Sequence, residues 1–151
     1  MRRIIYLFAT GLYTGYSPIA PGTAGSALGL VFYFLIPGFR GWNLLSASVL
    51  FFFVGVWSGT YVEKIEKKKD ASIIVIDEVV GMWISLLFLP MHMNWIWWVG
   101  AFFIFRIYDI IKPFPAGRSQ HLRSGWGVMV DDVFAGIYTN LTLRLLFHFF
   151  G

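Results

Sequence analysis

The chain has no cysteine and only three histidines, and charged residues make up just 13% of its 151 positions. Without cysteine there is neither a disulfide frame nor a thiolate metal site. A soluble domain usually carries about 25% charged residues, so an ordinary soluble globular protein is excluded. Arg2 and Arg3 precede only a short apolar stretch, Ile4 to Ala9, without a small-residue cleavage site, and no cleavable signal is expected. What is present in excess is apolar: 58% hydrophobic and 20% aromatic residues. Such rings favour membrane interfaces and packed helix bundles. The composition predicts one all-α integral membrane domain over residues 1–151, surrounded by membrane lipids, with no nucleic-acid partner.

Five apolar segments predict a polytopic helix bundle: 23–37, 42–62, 78–91, 95–111 and 128–150. A full span needs about 20 residues. The second and fifth segments reach that and the fourth nearly does, whereas the first and third are short. A short segment either begins below the headgroups, against a protein-lined cavity, or is re-entrant. Residues 3–12 (RIIYLFATGL) read as an interfacial amphipathic helix. Nine Lys and Arg residues fall at the N-terminus and in the loops after the second and fourth segments, against Arg40 alone on the other side. That pattern predicts a cytoplasmic N-terminus. It also brings the polar motifs to the cytoplasmic ends of the helices.

The first polar motifs are two adjacent acid pairs, Asp77-Glu78 in IIVIDEVVGMWI and Asp131-Asp132 in GVMVDDVFAGIY. A carboxylate at a membrane helix centre costs about 2.5–3.5 kcal/mol, so such residues mark function by default. Brought together, the pairs would offer the hard oxygen ligands that suit Mg²⁺. Adjacent helical residues diverge by about 100°. One acid of each pair can therefore face a shared metal while its neighbour takes a second metal, a water or a basic partner. Gly81 follows Asp77 by four residues and Gly136 follows Asp132 by four, which predicts close helix approach beneath the acids. The bland alternative is acids in a first turn, complementing the helix dipole.

In TGYSPIAPGTAGS, residues 14–26, Pro18 and Pro21 interrupt helix, and Gly22 and Gly25 permit close backbone approach. Thr23 or Ser26 is expected to cap the following helix, whose N-terminus is an anion site suited to phosphate; the alternative is a plain capped turn. In FRIYDIIKPFP, residues 105–115, Arg106 and Asp109 share a helix face, with Lys112 one turn on. Arg suits bidentate phosphate binding and Lys adds a point charge, with Asp109 orienting Arg106. An Arg–Asp pair that merely neutralises two buried charges is the alternative. His121 in the basic loop could protonate a leaving group or simply be solvated, and Arg144 has no assignable role beyond snorkelling or meeting a carbonyl.

Together GYSPIAPGTAGS, IDEVVGMWISL, FRIYDIIKPFP and GWGVMVDDVFAG resemble the motifs of the phosphatidylglycerophosphatase A family, in order and spacing, across roughly residues 14–136. The resemblance implies an Mg²⁺-dependent phosphatase of the bacterial inner membrane that converts phosphatidylglycerophosphate to phosphatidylglycerol. Asp77, Glu78, Arg106, Asp109, Lys112, Asp131 and Asp132 match the family's charged positions. Ser17, Pro18, Pro21, Gly22, Thr23, Gly25 and Ser26 match its N-terminal motif. On this reading Asp77, Glu78, Asp131 and Asp132 hold Mg²⁺ and, with Asp109, form the catalytic set. Arg106, Lys112, Gly22, Thr23, Gly25 and Ser26 bind phosphate. No DxDxT nucleophile motif, Cys-x5-Arg loop or His-centred phosphatase set is present, which favours metal-activated water over an aspartyl-phosphate intermediate. The competing readings are a small Mg²⁺ transporter or channel, and a non-catalytic membrane subunit.

Overall fold

Runs of apolar residues broken by Pro and Gly become seven α-helices among the described residues of the computed structural model, which are 1–90, 92–119 and 121–151. They are α1 (Arg2–Ala9), α2 (Pro21–Leu35), α3 (Gly41–Glu66), α4 (Ile76–Ser85), α5 (Trp95–Ile111), α6 (Ala116–Ser119) and α7 (Gly125–Phe150), with a short 3-10 turn over Thr14–Tyr16 before α2. The architecture is an all-α bundle. Two helices, α3 and α7, are long and apolar enough to cross a membrane, and α2 is a shorter apolar helix.

The helix α4 lies at the centre, packed against α2, α3, α5 and α7. Val79, Val80, Met82 and Trp83 are buried along it, and Phe105, Leu44, Met129 and Leu143 close the core around them. The Trp83 indole donates to Gly29 O of α2 at 3.0 Å. The crossing of α4 and α7 uses the two small residues expected beneath the acids. A Cβ on Gly81 would stand 2.7 Å from the Phe105 ring and 2.8 Å from Asp132 O, and one on Gly136 would stand 3.0 Å from Ile84. Helices that meet at small residues approach closely enough for backbone contact.

The third apolar segment corrects the sequence expectation. The helix there runs Ile76–Ser85, about 15 Å at ~1.5 Å per residue, so it starts two residues before the expected segment of 78–91 and stops well short of its end, with turn beyond and Met91 outside the described residues. The last carbonyls of so short a helix need partners from elsewhere. They find them on α7: Asn140 Nδ2 donates to Ser85 O and Leu87 O, both at 2.9 Å. Arg144 Nη2 donates to Leu87 O and Phe88 O at 2.9 Å, and its Nε donates to Asn140 Oδ1 at 2.7 Å. The carbonyl partner of Arg144 is thus the end of α4.

Candidate functional site

Three helices deliver charge to the opposite end of α4, and a fourth packs neutral residues against it. Asp77 and Glu78 occupy its first turn. Asp131 and Asp132 lie about two turns into α7 rather than in its first turn, so the helix dipole does not account for them. From α5 come Arg106 and Asp109, followed by Lys112 at its C-cap in the left-handed conformation. From α2 come Gly22 and Ser26.

Three of the four paired acids form one group. Asp77, Glu78 and Asp132 each present a carboxylate oxygen within 4.8 Å of the others. Asp77 Oδ1, Glu78 Oε2 and Asp132 Oδ2 are buried without a hydrogen-bond partner among the described residues. Buried polar atoms are nearly always satisfied, and like charges this close repel, so an acidic trio of this kind lacks its counter-charge. A divalent cation supplies one, and hard carboxylate oxygens fit Mg²⁺ or Ca²⁺ rather than a soft metal. The cluster could therefore coordinate a divalent ion.

Asp131 stands apart from the trio. Its Oδ2 accepts from Lys112 Nζ, and its Oδ1 accepts the Asp132 N–H at 3.1 Å. Burial works against the Lys112 charge, but the hydrogen bond and charge of Asp131, with nearby Asp132 and Asp109, outweigh it and push the lysine up to about 12. Lys112 is thus a permanent cation at the edge of the site.

Arg106 is the second cation. Its Nη1 meets Asp109 Oδ2 at 2.6 Å and donates to Ser26 Oγ at 3.4 Å. Gly22 makes room for this grouping: a Cβ there would fall on Glu78 Oε1 and within 3.1 Å of both Arg106 terminal nitrogens. The start of α2 is therefore seated directly against the carboxylate–guanidinium cluster. The N-cap is Ala20, with no side-chain cap bond. The expected capping by Thr23 or Ser26 is overturned, because both lie inside the helix and the Ser26 hydroxyl bonds back to Gly22 O at 2.9 Å. The physical reason is Pro21, which starts the helix at its own fixed φ two residues before Thr23. Gly25 faces Val75, where a Cβ would stand 2.8 Å from the valine Cβ, so it serves helix packing. Thr23 is half-buried in the first turn of α2, and Ser17 bonds to Ile19 O in the preceding loop at 2.9 Å.

The trio of carboxylates with open oxygens is thus edged by two cations and by the N-terminus of α2. The phosphatidylglycerophosphatase A family profile matches residues 7–147. The chain belongs to that family. Membership classes it as a phosphatidylglycerophosphatase, a hydrolase, and as a membrane-associated protein. A Bacteroides thetaiotaomicron protein provisionally named phosphatidylinositol-3-phosphatase is 43% identical over 92% of this chain and 91% of its own length. The phosphatidylglycerophosphatase A of Escherichia coli is 37% identical over 95% of this chain and 83% of its own. That of Haemophilus influenzae is 36% identical over 89% of this chain and 83% of its own. No solved structure matches the chain at a significant level.

Sequence reasoning had no signal for Asn140, and for Arg144 it offered a carbonyl partner as one alternative without saying which, because no residue pattern announces a distant backbone acceptor. The split of the second acid pair had one: the ~100° divergence of neighbouring helical residues.

Proposed function

We propose that the chain hydrolyses the terminal phosphate monoester of phosphatidylglycerophosphate to give phosphatidylglycerol, at the cytoplasmic face of the bacterial inner membrane and with Mg²⁺ as cofactor. The observation that carries this reading is the buried trio Asp77, Glu78 and Asp132 with open oxygens beside Arg106, in a chain of this family. The positive-inside distribution of Lys and Arg supports a multi-pass chain with its N-terminus in the cytoplasm. A headgroup in the cytoplasm and acyl tails in the bilayer then meet the polar end of the bundle together.

The residues divide the work by charge. Asp77, Glu78 and Asp132 would hold the metal, with Asp131 beside them on Lys112. When bound, Mg²⁺ neutralises phosphate charge and lowers the pKa of a coordinated water. Arg106, held by Asp109, presents its planar fork to the phosphate oxygens, and Lys112 adds charge from the other side. The first-turn N–H groups of α2 at Gly22 and Thr23 complete the anion cradle. A water oxygen forms the new bond to phosphorus as the bond to the glycerol oxygen breaks in line with it, and the proton lost by the water is balanced by one gained at the departing glycerol oxygen. The Mg²⁺ channel reading is disfavoured because the acids gather at one end of the bundle instead of ringing a pore.

A second reading, phosphatidylinositol 3-phosphate as substrate, is favoured by the Bacteroides relative. Phosphate release from each lipid by purified protein, with Mg²⁺ and with EDTA, separates them. We expect Mg²⁺-dependent release from phosphatidylglycerophosphate, reversibly lost in EDTA, and release from the inositol lipid at least about tenfold slower, a difference of ~1.4 kcal/mol in transition-state binding. The inverse ratio transfers the assignment to the inositol lipid, and full activity in chelator removes the metal.

A further inference from the structure

We propose that a second polar cavity, next to the carboxylate trio, is the subsite for the polyol part of the headgroup. The inference rests on the phospholipid phosphatase reading above and goes beyond it by naming where selectivity for the alcohol resides. The cavity measures about 310 Å³ and is lined by Lys69, Asp70, His121, Gly127, Val128 and Asp131. Asp131 belongs to both places. It lines this cavity on one side and accepts from Lys112, the cation at the edge of the trio, on the other. A phosphate held at Lys112 would therefore lie beside the carboxylate that lines this cavity.

The lining has the chemistry of a hydroxyl-binding site. A lysine ammonium and an imidazole N–H donate; the carboxylates of Asp70 and Asp131 accept. A hydroxyl both donates and accepts, so a glycerol or cyclitol with several hydroxyls is matched by such a mixture. Another phosphate is not, because two of the four polar side chains are anionic. At ~30 Å³ per water the cavity holds about ten waters, enough room for either alcohol. A separate hollow beside α4 is the opposite in kind: its lining, which includes Leu28, Phe32, Phe51, Val79 and Trp83, is apolar.

Two parts of the cavity lining are tied to the bundle by hydrogen bonds. The turn carrying Lys69 and Asp70 is held by Glu63, a buried carboxylate outside the trio that accepts the Asp70 N–H at 2.7 Å. The start of α7 is held to α3 by the Gly125 N–H, which donates to Thr60 Oγ1 at 3.1 Å. A lining tied down in this way loses less freedom when it binds.

Because the chain has no cysteine, Lys68→Cys and Leu122→Cys each introduce a single thiol on the exposed turns beside Lys69 and His121 while leaving both of those side chains in place. Maleimide labelling of each variant in Mg²⁺ is compared in the presence of sn-glycerol 3-phosphate and of inorganic phosphate. We expect glycerol 3-phosphate to slow labelling about tenfold more than phosphate does, the effect of one good hydrogen bond to a charged group. Equal protection by the two anions, or none by either, overturns the subsite. In parallel, Lys69→Ala and His121→Ala should lower the ratio of kcat/KM for phosphatidylglycerophosphate over phosphatidic acid, which lacks the second glycerol, by about tenfold. An unchanged ratio also overturns it. If protection is seen and wild-type protein releases no phosphate from phosphatidylglycerophosphate, the proposed reaction fails and the cavity stands. If the lipid is hydrolysed and neither thiol is protected, the reaction stands and the subsite fails.

Discussion

The two ends of α4 hold polar groups in opposite conditions. At its C-terminal end the carbonyls of Ser85, Leu87 and Phe88 all have donors from Asn140 and Arg144. At its N-terminal end Asp77, Glu78 and Asp132 keep buried oxygens without hydrogen-bond partners among the described residues. Both clusters are costly to place in an apolar bundle, yet only one is closed within the protein. A closed cluster completes the fold; an open one is completed by something the protein binds. Substitutions at the two ends should therefore fail in different ways.

The largest effect is expected at the open end. Asp77→Asn and Asp132→Asn should each lower turnover by at least about a hundredfold, the scale on which a preorganised electrostatic group acts. The folded protein should not lose stability in the absence of metal, because each change removes an uncompensated buried charge. Mg²⁺ should raise the Tm of wild-type protein and fail to raise that of either variant. Thermal melts with and without Mg²⁺, beside phosphate release, read both quantities. A wild-type Mg²⁺ shift retained in both variants would break the comparison.

Next comes the crossing that ties the two ends together. Gly81→Ala places a methyl 2.7 Å from the Phe105 ring and 2.8 Å from Asp132 O. The ring is fully buried and the other contact is backbone, so neither yields cheaply. Overpacking of this kind costs about 1–3 kcal/mol. It also moves Asp132 relative to Asp77, so activity and Tm should fall together, which neither end alone produces.

The closed end should show the converse of the open one. Asn140→Leu leaves Ser85 O, in a buried residue, without its side-chain donor, at a cost of about 1–3 kcal/mol, whereas Arg144→Met removes donors from Leu87 O, which keeps Asn140, and from the exposed Phe88, and should cost less. Tm in detergent should drop while kcat of the remaining folded protein stays within about twofold, since both residues lie at the far end of α4 from the trio. A collapse of kcat at unchanged Tm would show that the clamp works on the site.

This contrast also explains what the sequence disclosed. The acid pairs, Arg106, Asp109 and Lys112 were legible because charge is rare in a chain this apolar. The glycines beneath the acids were legible from a four-residue spacing. The stop of α4 was not, because Leu86, Leu87, Phe88 and Leu89 continue the hydrophobic run; the helix ends there through donors almost 60 residues away on α7. For Arg144 a carbonyl partner was one legible alternative, but which carbonyl was not, for the same reason. The N-terminus of α2 misled through its Thr and Ser, since Pro21 fixes the helix start before either can cap it.

The smallest predicted effect lies within one acid pair. Asp131 and Asp132 are adjacent and both buried, but their partners differ: Asp132 joins the open trio, and Asp131 accepts from Lys112. In Asp132→Asn a carboxylate that faces two others becomes a neutral amide, and the divalent cation loses one of three anionic ligands. In Asp131→Asn the amide oxygen remains an acceptor for the Lys112 ammonium, so the lysine keeps its place and only the pair's charge balance changes. Asp131→Asn should therefore cost about tenfold in turnover, near the ~1.4 kcal/mol of one moderate charge-assisted contact. The dependence on Mg²⁺ concentration should stay close to that of wild-type protein. Asp132→Asn should lose activity across the whole Mg²⁺ range. The two titration curves, measured on phosphate release side by side, decide whether the trio or all four acids bind the metal. If Asp131→Asn shifts the Mg²⁺ requirement as far as Asp132→Asn does, Asp131 leaves Lys112 for the metal when the site is loaded, and the division within the pair belongs to the metal-free protein alone.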